Sequence, residues 1–180
     1  MQENLERLRS ELAAAMAGLN EAEMGWRPEK RPEAWTIAQI VQHLLLTYGA
    51  TRGAMRARLE KGTPTKGSPS MAQRAGQFAV TKLGYFPQGR KAPPQVEPAA
   101  EMEPRSGEAM VEEMEGSLRE MSRMLDEAEA RFGSGRCVTH VVLGPMSIEQ
   151  WRSFHLAHGL HHVKQIRSIR EQHGGGVAKA

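Results

Sequence analysis

Four of the chain's seven histidines fall in one stretch, WRSFHLAHGLHHVKQI, residues 151–166. They are His155, His158, His161 and His162. An imidazole can ligate a metal ion, carry a proton near neutral pH, or sit in a core with its nitrogens hydrogen-bonded. Spacing begins to separate these uses. On a helix turning roughly 100° per residue, Trp151, His158, His162 and Ile169 share a wedge of about 40°. His155 sits at the rim of that wedge, and His161 turns aside toward another face. His158 and His162 therefore point together along the line that Trp151 and Ile169 mark as buried. Two imidazoles one turn apart can hold one ion from the same side. Buried without a partner, their ring nitrogens would cost free energy. The residue after His158 is Gly159, so this is not the zincin motif, which has its catalytic Glu there.

A helical pair needs a further ligand from another element. His43 supplies one, on a second helical pattern within about 60° of Ile40 and 40° of Thr47. His43, His158 and His162 would make a three-nitrogen site with coordination positions left open, the pattern of a catalytic rather than a closed structural ion. Imidazole suits zinc, nickel, iron and copper, so the donor set alone does not choose the ion. His155 and Gln165 lie near the same face and could support the ligands from behind. Trp151 reads as a core residue beside the site, and His140 as an anchor for the loop before the last helix.

The elements that must position these residues are helical. Leu5, Leu8, Leu12, Met16 and Leu19 predict an amphipathic helix over 3–19. A second runs from an N-cap at Thr36 to Gly62, with Ile40, Leu44, Thr47, Thr51 and Met55 as its stripe. Residues 106–132 form a third, with Met110, Met114, Leu118, Met121 and Leu125 inward and an acidic outer face. The fourth starts at a capping box, Ser147 with Gln150, and runs from about 148 to 172, where GGG stops it. Between the second and third lies a long connection, 62–105, holding seven of the ten prolines. It predicts one short helix near 70–82 and no strand. The stretch GSGRCVTHVVLGPMS before the last helix reads as a loop. Four long amphipathic segments without strands make an all-α four-helix bundle, one domain over 1–173, with a disordered tail at 174–180.

Composition narrows the class further. Aromatic residues are only 5% of the chain and there are eleven Met, a core composition that favours helices. The net charge is +3 with basic residues scattered, which speaks against a nucleic-acid or membrane partner. The single cysteine, Cys137, forbids an intramolecular disulfide and suits a cytoplasmic protein. The N-terminal segment mixes charges throughout, unlike a signal peptide.

The quoted segments carry a resemblance. RPEAWTIAQIVQHLLL resembles the second-helix signature of the DinB/YfiT-like superfamily: a Trp, a Ser/Thr cap, then His followed by Leu. HGLHHVKQI resembles its last-helix signature, in which the first and last His of H-x-x-H-H bind metal. The longer run HVVLGPMSIEQWRSFHLAHGLHHVKQI is similar to a DinB-related family. Carried over position by position, the resemblance implies a metal triad of His43, His158 and His162, a divalent ion such as zinc or nickel, a four-helix bundle and a homodimer. Activities in the superfamily are mostly transfers or isomerisations that use a low-molecular-weight thiol; other members are described as metal-dependent hydrolases. Two function classes follow: a metal-dependent enzyme acting on a small molecule, as thiol S-transferase or hydrolase, or a non-catalytic metal-binding protein whose ion is structural.

Overall fold

The computed structural model describes residues 1–28, 31–86 and 91–177. Six α-helices and one β-hairpin make up its regular structure: α1 (Glu3–Met16), α2 (Glu21–Gly25), α3 (Ile37–Lys61), α4 (Met71–Leu83), α5 (Gly107–Phe132), β1 (Arg136–His140), β2 (Gly144–Ser147) and α6 (Ile148–Val177). A 3₁₀ turn at Pro94–Val96 interrupts the connection between α4 and α5. The four long helices α1, α3, α5 and α6 form the bundle: α1 packs on α5 and α6, and α3 packs on α5 and α6. The short α4 lies outside, against α6. Among the described residues no helix is long and apolar enough to cross a membrane.

The stripes predict the packing. Leu5, Leu8 and Leu12 of α1, Leu44 and Met55 of α3, Met114, Leu118, Met121 and Leu125 of α5, and Val163 and Ile166 of α6 are all buried in one core. The predicted caps also form. The Thr36 hydroxyl accepts from the Gln39 amide, and the Gln39 side chain accepts in return from the Thr36 amide. Ser147 and Gln150 make the same reciprocal pair at the start of α6. Gly62 closes α3 at φ 66°, a left-handed conformation that glycine adopts without a Cβ penalty.

Three boundaries differ from the sequence reading. The first helix stops at Met16 rather than 19, because Gly18 turns the chain at φ 73°. A short α2 then starts at its own capping box, between Asn20 and Glu23. The segment read as a loop is instead an antiparallel hairpin, Val138 facing Met146 and His140 facing Gly144. Two local contacts fix it. Gly144 turns at φ 71° against the Gln73 side chain, where a Cβ would collide. The Gln77 amide donates to the carbonyls of Leu143 and Pro145, tying the hairpin to α4. Finally, α6 passes through the glycines to Val177, so the expected stop at GGG and the start of the expected tail are helical. Glycine weakens a helix by about 1 kcal/mol but does not forbid it. Residues 178–180 and the side chain of Cys137 lie outside the described residues.

One close approach sets the depth of the site. A Cβ on Gly159 would collide with Leu8. Gly159 therefore sits where α1 and α6 touch, and the position that holds a Glu in zincins faces the core here.

Candidate metal centre

Helix α3 brings His43, and α6 brings His158 and His162. The capping box at Thr36 sets the phase of α3, so that His43, Thr47 and Thr51 lie on its inner stripe, all buried. The Ser147 box does the same for α6. The three imidazoles meet edge on: ring centroids are 5.1 Å apart for His43 and His158, 4.9 Å for His43 and His162, and 4.6 Å for His158 and His162. Their Nε2 atoms converge. His158 Nε2 lies 3.2 Å from His43 Nε2 and 3.1 Å from His162 Nε2. Two nitrogens bound to one tetrahedral ion at about 2.0 Å stand about 3.3 Å apart, so the separations suit a shared ion. The ligand atoms of the three histidines all lie within 4.8 Å of one another.

The other ring nitrogens show which atoms carry protons. His43 Nδ1 lies 2.7 Å from the Val96 carbonyl oxygen, an acceptor only, so Nδ1 holds the proton and donates. His162 Nδ1 lies 2.7 Å from Gln165 Oε1 and donates likewise. In the neutral rings both Nε2 atoms are then bare lone pairs. His158 Nδ1 is buried without a hydrogen-bond partner among the described residues. If His158 carries its proton on Nε2, that proton lies between two acceptors and serves one well. If it carries it on Nδ1, three lone pairs face each other. A cation at the centre resolves either case, so the donor set fits a metal ion.

Burial keeps the rings neutral. His162 is pushed down to about 3, first by burial and then by the neighbouring His43. His158 is held well below the ordinary histidine range by burial and by His162 and His43. His43 is also lowered by burial, against the opposing pull of its bond to Val96. Neutral imidazole is the form that ligates. The residues His43, His158 and His162 are 5%, 9% and 5% exposed, so the cluster is nearly but not fully closed from solvent.

The supporting residues divide. Gln165 bridges: its carbonyl oxygen takes the His162 proton, and its amide nitrogen lies 3.2 Å from His161 Nε2. His155 is not at the rim. It is fully buried, with Nε2 lying 3.1 Å from the Thr51 hydroxyl oxygen. That hydroxyl spends its own proton on the Thr47 carbonyl, so His155 Nε2 is the donor. The wheel missed this because α3 crosses α6 here and covers the edge of the wedge. Trp151 is buried, stacked on His155, with Nε1 donating to the Val138 carbonyl at 3.4 Å. His140 stays away from the triad: its Nδ1 accepts from the amides of Val142 and Leu143, anchoring the hairpin turn. Three neighbours complete the surroundings: Trp35 beside His43, Phe86 beside His158 and His161, and Phe154 stacked on His158. Phe86 and the Val96 carbonyl were invisible in the sequence. Each lies in the proline-rich connection, and a carbonyl carries no side-chain signal.

A family model described as the DinB superfamily matches residues 4–166. The chain belongs to the DinB superfamily. The match reaches into all four bundle helices and includes both halves of the histidine cluster. No curated protein matches the chain, and no solved structure does. The cluster able to hold a metal ion rests on the geometry of the three histidines, and superfamily membership leaves the reaction to be argued from the site.

Proposed function

We propose that His43, His158 and His162 hold a divalent transition metal ion, zinc or nickel, and that the protein is a metal-dependent enzyme of the thiol S-transferase type. The observation that carries this reading is the convergence of three Nε2 atoms, two of whose rings are fixed from behind by the Val96 carbonyl and Gln165 Oε1. When bound, such an ion lowers the pKa of a thiol and keeps it a thiolate near neutral pH.

The protein's own residues set the orientation and the dryness. Val96 and Gln165 lock the tautomers of His43 and His162. Phe154 and Phe86 cover His158 and keep water from most of its ring. The atoms balance without a base from the protein. The thiol proton goes to solvent, the thiolate sulfur bonds to an electrophilic carbon, and the leaving group departs with its electron pair.

One feature favours thiol transfer over hydrolysis. Activating water benefits from a general base within hydrogen-bond reach. Among the described residues no carboxylate hydrogen-bonds to the triad, and Gly159 packs on Leu8 where zincins have their Glu. A thiol, already far more acidic than water, needs no such group.

The test uses tag-free protein loaded with zinc or nickel. Loss of a small thiol in the presence of 1-chloro-2,4-dinitrobenzene, abolished by a chelator and restored by metal, is the expected result. Turnover of p-nitrophenyl acetate without thiol, together with no loss of thiol to the dinitrobenzene, would replace this reading by hydrolysis.

A further inference from the structure

Among the described residues, the side chains beside the triad that reach solvent are aromatic or uncharged, and this bears on what it can accept. The side chains that touch the three histidines and keep partial exposure themselves are Trp35, Phe86, His161 and Gln165. The Trp35 ring lies 5.1 Å from His43, and the Phe86 ring 5.2 Å from His158 and 5.6 Å from His161. Both aromatics rest against the hydrophobic core, which holds them in place. Among the described residues no Asp, Glu, Lys or Arg side chain hydrogen-bonds to any of these groups or to the triad. Among the described residues, Lys164 is a cation whose charge acts on His161. A highly charged cosubstrate body would find no ion-pair partner on Trp35 or Phe86. It would be desolvated there without compensation. A flat apolar body would instead bury aromatic area against both rings.

We propose that the partly exposed rings of Trp35 and Phe86 beside the triad select a thiol whose body is apolar and aromatic over one whose body is polar. This rests on the metal reading above. The thiol sulfur supplies the donor, and the rings of Trp35 and Phe86 supply the discrimination. They act by contact with the part of the ligand that does not react.

The experiment uses the full chain loaded with cobalt, its metal content measured first. The visible and near-ultraviolet absorption is titrated with benzyl mercaptan and, separately, with 2-mercaptoethanol, two thiols of similar acidity. The expected result is binding of benzyl mercaptan at least tenfold tighter. Phe86→Ala and Trp35→Ala should each shrink that ratio severalfold while cobalt stays near one per chain. Lys164→Ala should leave the ratio unchanged. Cobalt bound with a ratio near one in the unmutated protein overturns this inference alone. So does a ratio that both aromatic variants leave intact, and so does one that falls only in Lys164→Ala. No cobalt bound at all overturns the metal site and this inference with it.

Discussion

His155 and His158 stand three residues apart on α6, and both are buried, yet they belong to different regions of the molecule. Around His155 the polar groups mostly have partners, although His155 Nδ1, like His158 Nδ1, is buried without one among the described residues. His155 Nε2 donates to Thr51, Trp151 donates to the Val138 carbonyl, and His140 accepts two backbone amides. Around His158, Nε2 meets two further Nε2 atoms whose rings have spent their protons elsewhere. Residue type, burial and neutrality are alike in the two clusters. What differs is what each Nε2 meets: at His155 a hydroxyl oxygen, at His158 two further imidazole nitrogens. His43 and His162 become candidate ligands through the bonds made by their Nδ1 atoms, which leave both Nε2 lone pairs facing His158.

The largest effect that sharpens this contrast is metal-linked stability. A metal ion present at a thousand times its dissociation constant stabilises the folded state by about 4 kcal/mol. Zinc should raise the melting temperature of the unmutated protein and of His155→Ala, but not of His158→Ala, in calorimetry with and without chelator. Next comes the support behind the ligands. Gln165→Ala removes the acceptor that fixes His162, and should weaken metal affinity roughly 10- to 100-fold in competition with a chromophoric chelator. A similar loss in Thr51→Val would erase the difference between the clusters.

Acidification tests the cluster around His155. His155 is pushed down to about 3 and His140 to about 4, each chiefly by burial, from an unfolded value near 6.5. Their folded pKa lies below the unfolded one. The stability linked to them is therefore complete above pH 6.5 and is lost as pH falls toward those folded values. Between these limits the unfolded chain binds more protons, and each such histidine costs about 1.4 kcal/mol per pH unit. Denaturant unfolding of metal-free protein from pH 7 to 4.5 should show that slope, made shallower by one proton in His155→Gln. The smallest effect is Thr51→Val itself. It strands the His155 Nε2 proton and should cost about 1–3 kcal/mol with metal affinity unchanged.

The sequence carried the parts of this arrangement that repeat with the helix period. The four apolar stripes, the caps at Thr36 and Ser147, the short helix near 70–82 and the triad itself follow from spacing, because a helix turns spacing into direction. What did not follow depends on contacts between distant segments. The hairpin at 136–147 is too short for a strand pattern and is held by Gln77 and Trp151 from other elements. His155 moves from rim to core because Thr51 of α3 covers it. Val96 contributes a carbonyl, which no side-chain pattern reveals. Gly159 looked like a missing catalytic Glu and is a packing contact with Leu8.

The central claim is that three particular histidines, and not the fourth buried beside them on α6, hold one ion. Metal analysis by mass spectrometry, on tag-free protein reconstituted with zinc or nickel and then dialysed, tests it most directly. The account predicts near one ion per chain in the unmutated protein and in His155→Ala, and near none in His162→Ala. Equal metal in His162→Ala, or none in the unmutated protein after reconstitution, would contradict it.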